Sequence, residues 1–175
     1  MGQYFNPCLL AENKKTVLKW MYSHEYNNGL KLMEHSYIKN DFVKTFESLI
    51  KNNPQRVVWA GDYADDCKGY KTNVYSRCND KNKATPKEYF NDIETRYVVN
   101  HTKKQFVDKH KVPEISDWKG AKIHPLPLLT CEGNGRGGGD FRGENQYVGT
   151  WVRDVISVEG KKPEGYTEIM PNFAE

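Results

Sequence analysis

Apolar residues in this chain come mostly in short runs that alternate with polar ones, and that pattern limits the folds open to it. A period of two places successive side chains on opposite faces of a strand. Thr16, Leu18, Trp20 and Tyr22 alternate in this way with Val17, Lys19 and Met21. The same alternation runs through 147–159, the longest strand expected, with Val148, Thr150, Val152, Asp154, Ile156 and Val158 on one face. Further strands are expected over 4–10, 56–60, 96–100, 104–108, 126–131 and 166–170. Pro7 lacks a backbone donor, which assigns the first of them to a sheet edge or a bulge. One segment has helical spacing: Phe42, Phe46, Leu49 and Ile50 form a single stripe. Asn40 is its expected N-cap and Asn53-Pro54 its stop, so a helix is expected over 40–52. Strands joined directly to strands, with one main packed helix and long loops, define an α+β fold with a mostly antiparallel sheet. A single domain over 1–175 is expected, with a polar insertion at about 67–92.

Composition narrows the partners. Only 37% of residues are hydrophobic, but 13% are aromatic, and large rings let a small apolar fraction bury enough area for a core. The net charge is +3, with lysines interleaved among acidic residues. A nucleic-acid binder carries a concentrated basic face, so nucleic acid is not the expected partner. No apolar run reaches membrane-spanning length, and the start lacks the basic and apolar stretches of an export signal. A cytoplasmic setting is therefore expected. Cys8, Cys67, Cys78 and Cys131 form no C-x-x-C pair, and reduced thiols are the default there. A zinc site drawing on Cys67, Cys78 and His101 is one alternative for two of them.

Three constellations bear on chemistry. The stretch 133–143 has six glycines in eleven positions, with Arg136 and Arg142 among them. Glycines lose much backbone entropy on ordering, and consecutive amides in such loops cradle anions. Arg136, Gly137, Gly138 and Arg142 are thus candidate anion ligands, with Trp151 and Arg153 on the following strand adding stacking and charge. The stretch lacks the Lys-Ser/Thr of a phosphate-binding P-loop and the helix of a dinucleotide fingerprint. A plain flexible connection and a core role for Trp151 are the competing readings. Asp62 and Asp65 follow an apolar strand and are candidate ligands for a divalent metal, although Asp also simply favours turns. His35, beside Glu34, has the ordinary pKa of a general base, without a recognisable nucleophile.

The strings Met1-Gly2-Gln3-Tyr4, 31–36 (KLMEHS), 57–65 (VVWAGDYAD) and 149–154 (GTWVRD) resemble a group of uncharacterised proteins of gut bacteria and their phages. The resemblance implies a bacterial host cell and a binding role, with no residue roles to carry over. The resulting expectation is a non-enzymatic binding protein without a cofactor. Its partner is anionic: a phosphorylated small molecule such as a nucleotide, or an acidic host-protein surface, in a phage setting as a counter-defence. The alternatives are a metal-assisted hydrolase using Asp62 and Asp65, with His35 or Asp154, and a protein–protein inhibitor with an aromatic patch.

Overall fold

The structure, a computed structural model, describes residues 3–133, 141 and 145–174. Among these, eight strands form one mixed sheet: β1 (Phe5–Leu10), β2 (Val17–Trp20), β3 (Gln55–Gly61), β4 (Tyr97–Asn100), β5 (Gln105–Asp108), β6 (Cys131–Glu132), β7 (Val155–Glu159) and β8 (Thr167–Glu168). Their order is β2-β1-β3-β7-β4-β5-β8. One flank of β3 is shared: Gln55 and Arg56 pair antiparallel with β7, then Trp59 and Ala60 pair parallel with β6. Only β3–β6 and β5–β8 are parallel; the other named pairings are antiparallel. The fold is α+β with a mostly antiparallel sheet, the class expected from the sequence.

Pro7 does not put β1 at the edge. β1 lies between β2 and β3, with Pro7 opposite Trp59. The Pro7 carbonyl accepts the Met21 N–H at 3.2 Å, so its ring nitrogen faces the frayed end of β2, where a donor is not needed. Residues 147–153 do not continue β7 backwards; they fold into turns, with Gly149 and Arg153 at positive φ. Residues 126–130 are helical, not extended: α3 (Pro125–Thr130) begins at a proline, where the missing N–H is harmless, and the His124 side chain caps it. A four-residue helix, α1 (Leu32–His35), occupies the stretch of mixed pattern before Tyr37.

Helix α2 (Asp41–Glu47) has the expected cap, the Asn40 side chain accepting the N–H groups of Phe42 and Val43. It is shorter than 40–52 because Ser48, Leu49 and Ile50 donate three residues back, tightening its end. Alternation along the strands separates two apolar clusters. Phe5, Leu9, Val57 and Trp59 face α2 and α3, and Cys8, Leu10, Val58 and Ala60 face Val17, Trp20, Cys67 and Val74. Phe46 meets Trp59 edge-on, with centroids 4.9 Å apart.

His35 is fully buried in the first cluster, not open to a substrate. Its Nε2 accepts the Trp59 indole N–H at 3.0 Å, and its Nδ1–H donates to the Gly29 carbonyl at 2.9 Å. That pairing fixes the neutral tautomer. Burial pushes its pKa from 6.5 down to about 4. Between those values the unfolded chain takes up a proton that the folded chain refuses. His35 therefore lends its full stability above pH 6.5 and loses it as pH falls towards 4, a drop of roughly 3 kcal/mol. Urea unfolding at stepped pH should show this loss, and His35→Gln should flatten the slope in that window by about one proton's worth.

Candidate functional site

A buried ion cluster lies where α2, β5 and α3 converge. Glu47 ends α2, Lys109 opens a single 3-10 turn (Lys109–Lys111) after β5, and His124 caps α3. All three are buried. Lys109 Nζ donates to Glu47 Oε2 at 2.6 Å and to Thr95 Oγ1 at 3.1 Å. His124 Nδ1 accepts the Leu126 N–H, so its proton sits on Nε2, 3.4 Å from Glu47 Oε1. Burial alone would raise the Glu47 carboxyl; the Lys109 ammonium and the His124 ring outweigh it and hold Glu47 below the ordinary carboxylate range. For His124 burial wins over the pull of Glu47, and its pKa falls, leaving the ring neutral.

Lys109 also floors a cavity of about 560 Å³, a size suited to a small ligand. Its walls are Ile38, Lys39, Asp92, His110, Glu114, Gly120 and Lys122. Backbone bonds set this geometry. Ile38 N–H donates to Lys122 O at 2.9 Å, His124 N–H to Ser36 O at 2.9 Å, and Tyr37 bridges Ile123. That zipper brings Lys39 and Lys122 to one rim. Residues 114–122 double back on themselves: Ile115 N–H donates to Ala121 O, and Gly120, at φ 81, turns the tip. Lys39 is held at φ 77, a left-handed conformation that side chains other than glycine seldom adopt. Among the described residues Lys39 and Lys122 form no ion pair, nor do Asp92 and Glu114.

The cavity opens onto a second depression of about 520 Å³ that shares Ile38, Lys39 and Gly120. Its wall is aromatic: Trp118, 57% exposed, stands edge-on to Tyr37 at 5.2 Å. A groove thus runs from an exposed indole to a lysine rim. Its chemistry is stacking and anion pairing, with the Asp92 and Glu114 carboxylates as acceptors on the wall, one Glu114 oxygen already taking the Gly120 N–H at 3.3 Å.

Those residues singled out from sequence that the structure describes lie elsewhere. Arg136, Gly137, Gly138 and Arg142 lie outside the described residues. Trp151 is fully buried, its indole N–H donating to Gln105 Oε1 at 3.1 Å. Arg153 clasps Glu132 through Nε at 2.8 Å and NH2 at 2.5 Å, and its NH1 donates to the Lys14 carbonyl. Burial works against its charge, and the Glu132 carboxylate outweighs that, raising its pKa. Asp62 accepts the Tyr4 N–H at 2.9 Å, and Asp65 is exposed. Among the described residues no three His, Cys, Asp or Glu side chains gather to hold a metal ion. Asp154 instead pairs with Lys103 at 2.6 Å and Asn100 at 2.9 Å. His101 binds Ser157 and Tyr166, and Cys78 meets Cys8, so neither joins Cys67 in a zinc site.

Sequence reasoning passed over Lys39, His110, Trp118 and Lys122. The one signal for them was Trp118-Lys119-Gly120, a large ring placed before a turn glycine in an irregular stretch. The fold and groove define a small α+β protein with an aromatic shelf beside a lysine-rimmed cavity. Compared with protein-family models, curated proteins and solved structures, the chain matches none. No helix of the described residues is long and apolar enough to cross a membrane.

Removing one partner of the buried cluster leaves an uncompensated charge. Lys109→Ala should cost about 3–5 kcal/mol in urea unfolding. Glu47→Leu combined with Lys109→Met should recover most of that loss, because the uncompensated charge is then gone.

Proposed function

We propose that the protein binds, without chemical turnover, a small anionic ligand that carries a planar ring, a nucleotide being the class that fits. One observation carries the reading: two lysines without ion partners among the described residues, Lys39 and Lys122, rim a cavity that continues onto the exposed Trp118 ring. Phosphate oxygens pair with the two ammonium groups, and a base stacks on Trp118. Asp92 and Glu114 accept from ribose hydroxyls or an exocyclic amine, and so select a ligand with donors over bare phosphate. This reading puts the anion on the lysine rim, where the sequence alone pointed to Arg136, Gly137, Gly138 and Arg142. In the phage setting that the resemblance implies, capture of a nucleotide signal is a means of countering a host defence.

Calorimetric titration with nucleoside mono-, di- and triphosphates and cyclic dinucleotides tests the reading. Binding by one of these classes is expected, weakening as salt rises. Lys39→Ala and Lys122→Ala should each weaken it about tenfold, the worth of one charge-assisted hydrogen bond. Trp118→Ala should reduce it similarly while inorganic phosphate binding stays unchanged. Binding that survives all three substitutions but is lost in Arg136→Ala/Arg142→Ala would move the site to the glycine-rich stretch. No heat with any nucleotide would end the small-ligand reading.

A further inference from the structure

The two thiols of Cys8 and Cys78 lie in contact although they stand 70 residues apart in the chain, with Sγ atoms 3.4 Å from one another. We propose that Cys8 and Cys78 are a redox pair that closes to an intramolecular disulfide. The inference is independent of the groove, which lies on the other face of the sheet.

The two cysteines differ in access. Cys8 is in the middle of β1, fully buried between β2 and β3. Cys78 is half-buried and follows a single 3-10 turn (Tyr75–Arg77) in the polar segment that covers this face. Besides Cys8, its Sγ makes a weak contact, 3.7 Å, with the Val74 carbonyl. Bond formation requires the sulfurs to close from 3.4 Å to about 2 Å. Cys78 can make that move, because it belongs to no strand and its side chain is not locked by a ladder. The other two thiols serve as internal references. Cys131 is buried, and burial pushes its thiol up to about 12. Cys67 accepts from Arg153 at 3.4 Å and Arg77 at 3.6 Å.

The oxidant is a low-molecular-weight disulfide. The Cys78 thiolate attacks one of its sulfurs, giving a mixed disulfide on Cys78 and releasing one small thiol. Burial resists ionisation of Cys8, so its sulfur attacks the Cys78 sulfur as its proton passes to the second small thiolate, which leaves as the thiol. Two protein thiols are oxidised to one bridge, and one small disulfide is reduced to two thiols. The bridge staples the 67–84 segment to the sheet, where it is already held by the Trp20 indole N–H on Asn79 O at 2.7 Å and the Ala84 N–H on Trp20 O at 2.8 Å. Closing so long a loop stabilises the folded chain.

The full chain incubated with oxidised glutathione, then alkylated with N-ethylmaleimide and mapped by mass spectrometry, tests the pair. The expected product links the Cys8 and Cys78 peptides, with Cys67 and Cys131 alkylated. Its Tm rises by roughly 5–15 °C and falls back on reduction with dithiothreitol. Cys8→Ser should stop at a glutathione adduct on Cys78, Cys78→Ser should give no bridge, and Cys67→Ser should leave the bridge intact. The wild-type map decides even where a variant folds poorly. A Cys67–Cys78 bridge, a link between chains, or four alkylated thiols would overturn the proposal.

Discussion

A fully buried carboxylate must find a positive partner inside the fold, and Glu47 determines much of what surrounds it. Helix α2 is seven residues long, too short to be stable alone, so its position depends on tertiary contacts. Its apolar face, Phe42 and Phe46, seats it on the sheet but tolerates sliding. Glu47 removes that freedom, because its oxygens must meet Lys109 after β5 and face His124 at the start of α3. Those two partners lie on either side of residues 112–122. The stretch whose ends are pinned by the ion cluster is thus the one that turns back to form the groove. A buried pair of this kind adds little net stability over apolar side chains of equal size. What it contributes here is a defined geometry, since misplacing either partner leaves a charge without compensation.

Much of the sheet was legible because short apolar runs bounded by turn residues are a one-dimensional signal. β1 and β3 read in that way, and the fold buries both their faces, with Phe5 and Leu9 in one cluster and Cys8 and Leu10 in the other. The cap at Asn40 was equally local, since the donors it satisfies lie two and three residues on. Residues 126–130 were misread for a related reason. A short apolar run with prolines fits a buried strand and a buried helix alike, and α3 is buried on all sides. Residues 147–153 alternate in sequence, yet the ladder there is occupied: Gly149 and Trp151 donate to the carbonyls of Leu128 and Leu129, which belong to a helix and not to a strand.

The segment 67–92 shows a different limit. Its asparagines look like disorder in composition, and in the fold they are the structure. Asn73 donates to the carbonyls of Asp62 and Ala64 while accepting the Ser76 N–H, and Asn79 and Asn82 brace one turn between them. Local side-chain bonds to the backbone replace a ladder. Trp20 and Tyr26 then anchor the segment through Asn79 and Pro86 carbonyls. None of these pairings has a period, so no pattern in the sequence announces them. The candidate site was hidden for the same reason: Lys39 and Lys122 are distant in sequence and become neighbours only through the 36–38 and 122–124 zipper.

Backbone conformation makes the lysine rim more than a chance of surface charge. Lys39 holds a positive φ immediately before the Asn40 cap, a position where glycine would be easier by about 1 kcal/mol or more. The chain places a charged side chain there, while glycine occupies the matching turn at Gly120 across the cavity, also at positive φ. The backbone thus fixes where the Lys39 side chain leaves the chain, on the wall of the cavity that Lys122 also lines. Two cations held apart by the fold repel each other, and an anion between them relieves that repulsion. In the proposed binding mode, the carboxylates Asp92 and Glu114 disfavour a bare anion and favour a ligand that brings hydrogen-bond donors. Selectivity in such a groove arises from what the acidic walls refuse as much as from what the lysines attract.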